Sequence, residues 1–348
     1  MGGKKFGIVT ITNGPDNYGN ILQNYAVQEF LRERGAKCET ILNISFMEFR
    51  KHKAYLLLKF FQSRAKTIKR IKFLQFGKKY ISYAKQEVTS KDSISNEFSD
   101  KYDFVLCGSD QIWNPEFTFN HNWKFNFAQF VKPEKRIAFA PSLGLNEIPE
   151  PYYSLFSEYL NSFRALSARE NSGAEIISDM TKQECTVLCD PCFLVNEKKW
   201  YELIKPIKKL ESKKYVVKYI LGVEADYIDK ILGEIEIDYV VDIMDVNSLY
   251  YSIGPNEFLW LIKNAEMVIT DSFHGTVFSI IFQKDFTVVQ RIGEGDTFDR
   301  IDTLLKNFDI NTNSNIVRVK SKQLVQRKAI IQDMVQKTEK YIERVIES

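Results

Sequence analysis

An α/β fold built as two β/α units in tandem is what the sequence predicts, and three observations predict it. Short apolar runs rich in Val and Ile alternate with helical stretches along the chain, as parallel strands and their crossovers do. The opening reads strand, Asn/Gly-rich turn, helix, strand, which is the start of a Rossmann-like unit. A second strand-turn-helix series begins near residue 165. The chain has 348 residues, 44% hydrophobic and 27% charged. That length suggests about two domains, each able to bury its own core. The expected division is a Rossmann-like domain over 1–165 with a basic helical insertion at about 47–90, a second over 166–320, and a terminal helix over 321–348.

Residues 6–11 are almost continuously apolar, so they read as a strand buried on both faces. The turn at 12–20 is rich in Asn and Gly. In the helix that follows, Ile21, Leu22, Tyr25, Ala26, Phe30 and Leu31 lie near one face, and Gly35 closes it. Residues 37–42 are the second strand. Further strands are expected at 102–106, 136–140, 165–169 and 186–191, with helices at 151–163 and 171–180. Strands at 214–221 and 239–243 alternate with helices at 226–233 and 256–264. Residues 267–270 are a short β-branched strand that passes through a polar turn into a helix from Thr276. A last strand at 286–290 precedes a long polar helix at 321–347. Neither G-x-G-x-x-G nor a Walker loop is present, which counts against NAD(P) and ATP.

The net charge of +3 conceals a strong asymmetry. Residues 50–86 hold twelve Lys and Arg and no Asp or Glu, interleaved with apolar residues. This reads as one or two amphipathic helices, either packed on the first domain or leaning on anionic lipid head groups. No nucleic-acid motif accompanies it, so nucleic acid is not expected as a partner. The five cysteines, Cys38, Cys107, Cys185, Cys189 and Cys192, are odd in number and scattered, which argues for a reducing compartment. The spacing of the last three matches no complete zinc pattern, and no metal is expected. No h-region follows Met1, and no run approaches the length of a membrane span. The expected location is cytoplasmic, at the inner face of the membrane if the basic segment binds lipid.

Polar groups recur at the ends of predicted strands. They are Asn17-Tyr18-Gly19 with Gln23, Ser109-Asp110-Gln111 with Trp113-Asn114, Ser142, Ser167 with Arg169-Glu170, Asp190, and Asp271 to His274. Open α/β sheets hold their ligands at that edge. His274 is one of three histidines and sits in a strand-to-helix turn, where helix N–H groups favour an anion. Trp113, beside Asn and Asp, reads equally as a sugar-stacking platform or a core tryptophan.

Six runs together resemble the polysaccharide pyruvyl transferase family: Asn17 to Ala26, Gly108 to Pro115, Ser167 to Ser172, Asp190-Pro191, Gly254 to Phe258, and Asp271 to Gly275. The resemblance extends over about residues 6–310. It implies two Rossmann-like domains facing a cleft, of GT-B-like type. It also implies phosphoenolpyruvate as co-substrate, no metal or cofactor, and a pyruvate ketal formed on two hydroxyls of a sugar in a surface polysaccharide or its lipid-linked precursor.

Set against that chemistry, the residues take expected roles. Phosphoenolpyruvate carries two anionic groups, so the donor site needs at least two anion holders. The helix start at Gly275-Thr276, with Ser272 at its head, is one; Arg169 and Arg300 are others. A proton must reach the enol methylene, and His274 is best suited by type, with Asp271 to orient it. Asp110 is the candidate for the acceptor hydroxyl. Asn17, Tyr18, Gln23, Ser109, Gln111, Trp113 and Asn114 are expected around the acceptor. One departure stands out: transferases of the family often carry Arg where this chain has Ser272. That departure, with the Gly254 to Phe258 run, leaves a glycosyltransferase with a nucleotide-sugar donor, on the same scaffold, as the alternative reading.

Overall fold

A computed structural model describes residues 1–12, 16–42, 63–87, 99–116, 122–225, 227–292 and 298–347. They form two compact units. The first takes in Met1–Ala54, Gly77–Val195 and Gln332–Ser348, and the second Tyr55–Phe76 and Asn196–Ile331.

The first unit is built on β1 (Lys5–Val9), α1 (Tyr18–Glu33), β2 (Lys37–Leu42), the end of α2 (Arg64–Tyr80), β3 (Tyr83–Glu87), β4 (Phe104–Cys107) and β5 (Arg136–Ala138). The strands lie in the order β3-β2-β1-β4-β5, all parallel. Phe6, Ile8 and Val9 are fully buried, as the unbroken apolar run requires. Successive strands are added on one side of β1 and then, from β4, on the other, so the crevice of this sheet lies beyond the carboxyl ends of β1 and β4. There the chain turns at Gly108, whose φ of +126° and closeness to the Phe139 carbonyl leave no room for a side chain; a Cβ would lie 2.2 Å from that oxygen.

α3 (Glu150–Leu160), β6 (Leu166–Ala168), α4 (Asn171–Thr181) and β7 (Cys185–Val187) complete this unit. β6 and β7 pair in parallel, and Ala138 N–H donates to the Ala165 carbonyl at 3.0 Å, so β6 carries on from the β5 edge. Leu166 and Ala168 share a core with Val105 and Trp113. The series from residue 165, placed by the sequence in a second domain, therefore packs with the first unit, and the units part after Val195.

The second unit contains most of α2, α5 (Glu197–Leu203), β8 (Tyr215–Tyr219), α6 (Tyr227–Gly233), β9 (Tyr239–Asp242), α7 (Pro255–Asn264), β10 (Met267–Thr270), α8 (Phe273–Ile281), β11 (Asp285–Val289), α9 (Phe298–Lys306) and β12 (Ile316–Val319). Its sheet runs β12-β11-β10-β8-β9, and only β12 is antiparallel. Here the switch point falls between β8 and β10. α5, α9 and β12 were not expected from the sequence: each is short, and the Ile316–Val319 strand stands in a polar stretch too brief to show alternation. α2 is a helix of the basic segment, whereas the end of that segment, expected as helix, is the strand β3; residues 47–62 and 88–90 of the expected insertion lie outside the described residues.

α10 (Arg327–Glu347) begins in the second unit and ends in the first. Tyr341, Ile342 and Val345 join the core of Phe6, Phe30 and Phe139, and the Tyr341 hydroxyl donates to the Ala138 carbonyl at 2.8 Å. Arg34 pairs with Glu339.

At the start of α7, Glu257 is buried and accepts from Gly254 N–H at 2.8 Å, from Lys72 at 3.1 Å and from Lys205 at 3.2 Å. Burial by itself would raise its carboxyl, but the Lys72 ammonium, the Gly254 N–H and Lys205 together hold it below the ordinary value of 4.5. A carboxyl depressed on folding contributes stability above its unfolded value and loses it as pH falls through the folded one. Glu257→Gln is therefore expected to lower the urea midpoint at neutral pH, with the gap to the parent narrowing at acid pH, as the pH falls below the ordinary carboxyl value of 4.5. An equal gap at both pH values would show that the charge contributes nothing.

Candidate active site

At the first switch point, two side chains and the main chain of Ser109 close a ring. Gln23 Nε2 donates to Thr10 Oγ1 at 2.7 Å, Thr10 Oγ1 donates to the Ser109 carbonyl at 3.1 Å, and Ser109 N–H returns to Gln23 Oε1 at 3.3 Å. The ring ties the end of β1 to the turn after β4. Ser109 Oγ is spent on the Ala140 carbonyl at 2.9 Å. Asn17 caps α1, accepting from Asn20 N–H at 3.2 Å, and Tyr18 beside it is buried. Asn114 is buried and accepts from Glu116 N–H at 2.8 Å, while Gln111 is half-buried.

Trp113 is fully buried. Its ring stacks on Phe127 at 4.9 Å and meets Phe163 edge-on, and Nε1 donates to the Asn126 carbonyl at 3.1 Å. It is a core tryptophan, with its one polar atom satisfied inside the unit, and offers no face to a sugar. Gln23 and Ser109 likewise serve the fold. The acceptor group expected from the sequence thus reduces to the partly open positions around Asn17 and Gln111, with Asp110 between the buried ones.

Arg169, at the end of β6, does not present a bare guanidinium. Nη1 reaches Asp190 at 2.8 Å and Nη2 reaches Asp110 at 3.2 Å, and all three side chains are buried. Burial would lower the Arg169 pKa, but the two carboxylates outweigh it and raise it. With its charge already countered, Arg169 is a poor choice for a donor anion and a good one for fixing Asp110. Asp110 sits at φ +69°, a left-handed position that Asp tolerates. Asp190 also caps the turn after it, accepting from Cys192 N–H at 2.9 Å. Glu170, not expected as a site residue, is buried and takes Ser142 Oγ at 3.0 Å, Leu143 N–H at 2.7 Å and Gly144 N–H at 3.1 Å on a single oxygen. Its place beside Arg169 in the Ser167-Ala-Arg-Glu run was the available signal.

The second switch point is organised by Asp271. Oδ1 accepts from Leu221 N–H at 2.7 Å; Oδ2 accepts from Gly222 N–H at 2.7 Å and Arg291 Nε at 3.1 Å. Asp271 therefore braces the loop after β8 and does not orient His274, the role expected from the sequence. Arg291 also donates to the Asp271 carbonyl at 3.2 Å. Ser272 caps α8 through Gly275 N–H at 3.4 Å, and Thr276 Oγ1 donates to the Ser272 carbonyl at 3.1 Å. Gly275 lies so close to Thr270 that a Cβ would stand 2.4 Å from its hydroxyl oxygen; that hydroxyl is fixed on the Tyr219 carbonyl at 2.7 Å. Only glycine lets the helix start so near the strand end.

His274 occupies the first turn of α8 and is buried, with its ring edge-on to Phe273 at 5.3 Å. The buried Arg300 of α9 holds its guanidinium over the same Phe273 ring, 5.7 Å from the centroid. One helix start thus carries an imidazole, the positive end of the helix dipole and a neighbouring guanidinium. Such an arrangement can hold an anion and exchange a proton with it. The thiols offer little chemistry: burial pushes Cys185 and Cys189 up to about 12.

A profile of the polysaccharide pyruvyl transferase family matches residues 17–291. No protein of curated function matches the chain. Among solved structures, a Listeria monocytogenes protein assigned as a UDP-N-acetylglucosamine 2-epimerase aligns over 97% of this chain and 91% of its own, at 9% identity and a TM-score of 0.51. The UDP-GlcNAc 2-epimerase of Neisseria meningitidis aligns over 99% and 100%, at 10% identity and 0.49. An uncharacterized Klebsiella pneumoniae protein aligns over 81% and 82%, at 14% identity and 0.44. The likeness to the Listeria protein is one of fold, a parallel-sheet α/β architecture of GT-B-like type. The family match runs from the Asn17 cap through the Asp110–Arg169 pair to Arg291, most of the chain, and by it the chain belongs to the polysaccharide pyruvyl transferase family.

Proposed function

We propose that this protein forms a pyruvate ketal on a sugar, taking the enolpyruvyl group from phosphoenolpyruvate and releasing phosphate. The observation that carries the reading is the meeting of His274, the α8 start and Arg300 around Phe273. The helix start and Arg300 hold the donor's phosphate and carboxylate. His274 supplies a proton to the methylene carbon, which leaves C2 electron-poor. A sugar hydroxyl adds to C2 and gives up its proton to the imidazole. A second hydroxyl then displaces phosphate, which leaves with the bridging oxygen and takes up that hydroxyl's proton. Ser272 spends its hydroxyl on capping α8, so the donor charge that an Arg would meet at this position falls to Arg300.

The nucleotide-sugar alternative drew on the Gly254 to Phe258 run. In the structure that run has its carboxylate, Glu257, already held by Lys72, Lys205 and the Gly254 N–H, which weakens that reading.

The test is phosphate release from phosphoenolpyruvate across free and lipid-linked galactosyl, mannosyl and N-acetylhexosaminyl acceptors. His274→Gln is expected to lower kcat by about 100-fold or more, and Arg300→Met to raise KM for phosphoenolpyruvate by about tenfold. Acceptor-independent turnover, or thermal stabilisation by nucleotide sugars and not by phosphoenolpyruvate, would sink the proposal. Arg169→Met should act differently. It strands two buried carboxylates and should cost about 3–5 kcal/mol in denaturant unfolding; unchanged stability with a raised KM would instead make Arg169 a donor ligand.

A further inference from the structure

We propose that the outward face of α2 docks the protein on an anionic lipid surface. The inference is independent of the donor's identity. α2 carries seven Lys and Arg and no Asp or Glu, and the structure sorts these into two faces. Inward, Phe73 and Phe76 are buried, Lys69 lies over the Tyr251 ring at 4.7 Å, and Lys72 reaches Glu257 at 3.1 Å. The helix is therefore anchored by one side, and that side uses its own cations.

The opposite side has a different order. Arg64, Ile68, Ile71, Gln75 and Lys78 follow a spacing of four, three, four and three, which is one stripe of an α-helix. Ile71 is 42% exposed and Leu74 40%, an uncommon state for aliphatic side chains in mid-helix. Arg64 and Lys66 at one end, with Lys78 and Lys79 at the other, are exposed around them. An apolar centre between cationic ends matches a plane: the cations meet head-group phosphates while Ile71 and Leu74 enter the acyl boundary. A nucleic-acid strand would be met by stacked aromatic rings among the cations, whereas Phe73 and Phe76 of this helix are buried and Tyr80 packs edge-on against Tyr25 at 6.3 Å. No helix among the described residues is long and apolar enough to cross a membrane, so the contact is peripheral.

The full chain should be sedimented with vesicles of phosphatidylcholine alone and of phosphatidylcholine mixed with phosphatidylglycerol. Binding is expected only to the anionic vesicles and should weaken as salt is raised. Lys78→Gln with Lys79→Gln should reduce partitioning by about fivefold for each cation removed. Ile71→Ser with Leu74→Ser should also reduce it, at unchanged charge, which a purely electrostatic attraction would not show. All four positions are exposed, so both double variants should keep the parent's thermal midpoint. Equal binding to both vesicle types, binding retained by both double variants, or capture of single-stranded RNA with no vesicle binding would each overturn the proposal.

Discussion

Every strand of a parallel sheet delivers its chain to the same edge, and whatever polar groups gather there must find partners once water is removed. In this protein that constraint decides which residues hold the molecule together and which remain for chemistry. At the β1/β4 edge it is met by the Thr10, Gln23 and Ser109 ring and by Arg169 between Asp110 and Asp190. At the β8/β10 edge it is met by Asp271, whose two oxygens gather two N–H groups and a guanidinium. The residues most conspicuous as chemistry in one dimension are thus often those that close the edge.

The alternation of apolar runs and helices made the fold class legible, because buried parallel strands and amphipathic crossovers differ in period. The strand-turn-helix at Asp271 to Gly275 was legible for a sharper reason: few sequences put a carboxylate, a hydroxyl, an imidazole and a glycine between a β-branched run and an apolar helix. The role of each was not. An Asp three residues from a His reads as its partner, yet the turn aims the carboxylate at Leu221 and Gly222, some fifty residues upstream and invisible to local spacing. Trp113 stands among Asn and Asp in the sequence, but its burial depends on Phe127 and Phe163, which only the folded unit brings together.

Charge follows the same division. Arg169 and Arg291 are committed to carboxylates, whereas Arg300 lies over the Phe273 ring. Basic residues of α2 also divide by face, with Lys72 serving Glu257 and Lys78 lying outward. Counting cations along the chain predicts neither partition. It depends on which face of each element the core claims first.

The return of α10 to the first unit bears on how the chain is made. Tyr341, Ile342 and Val345 fill a core begun by Phe6 and Phe30. During translation the amino-terminal sheet emerges early, but its last wedge leaves the ribosome after all residues of the second unit. The half that starts first is therefore the one that closes last, and until then its unfilled apolar seam is a surface for chaperones to shield.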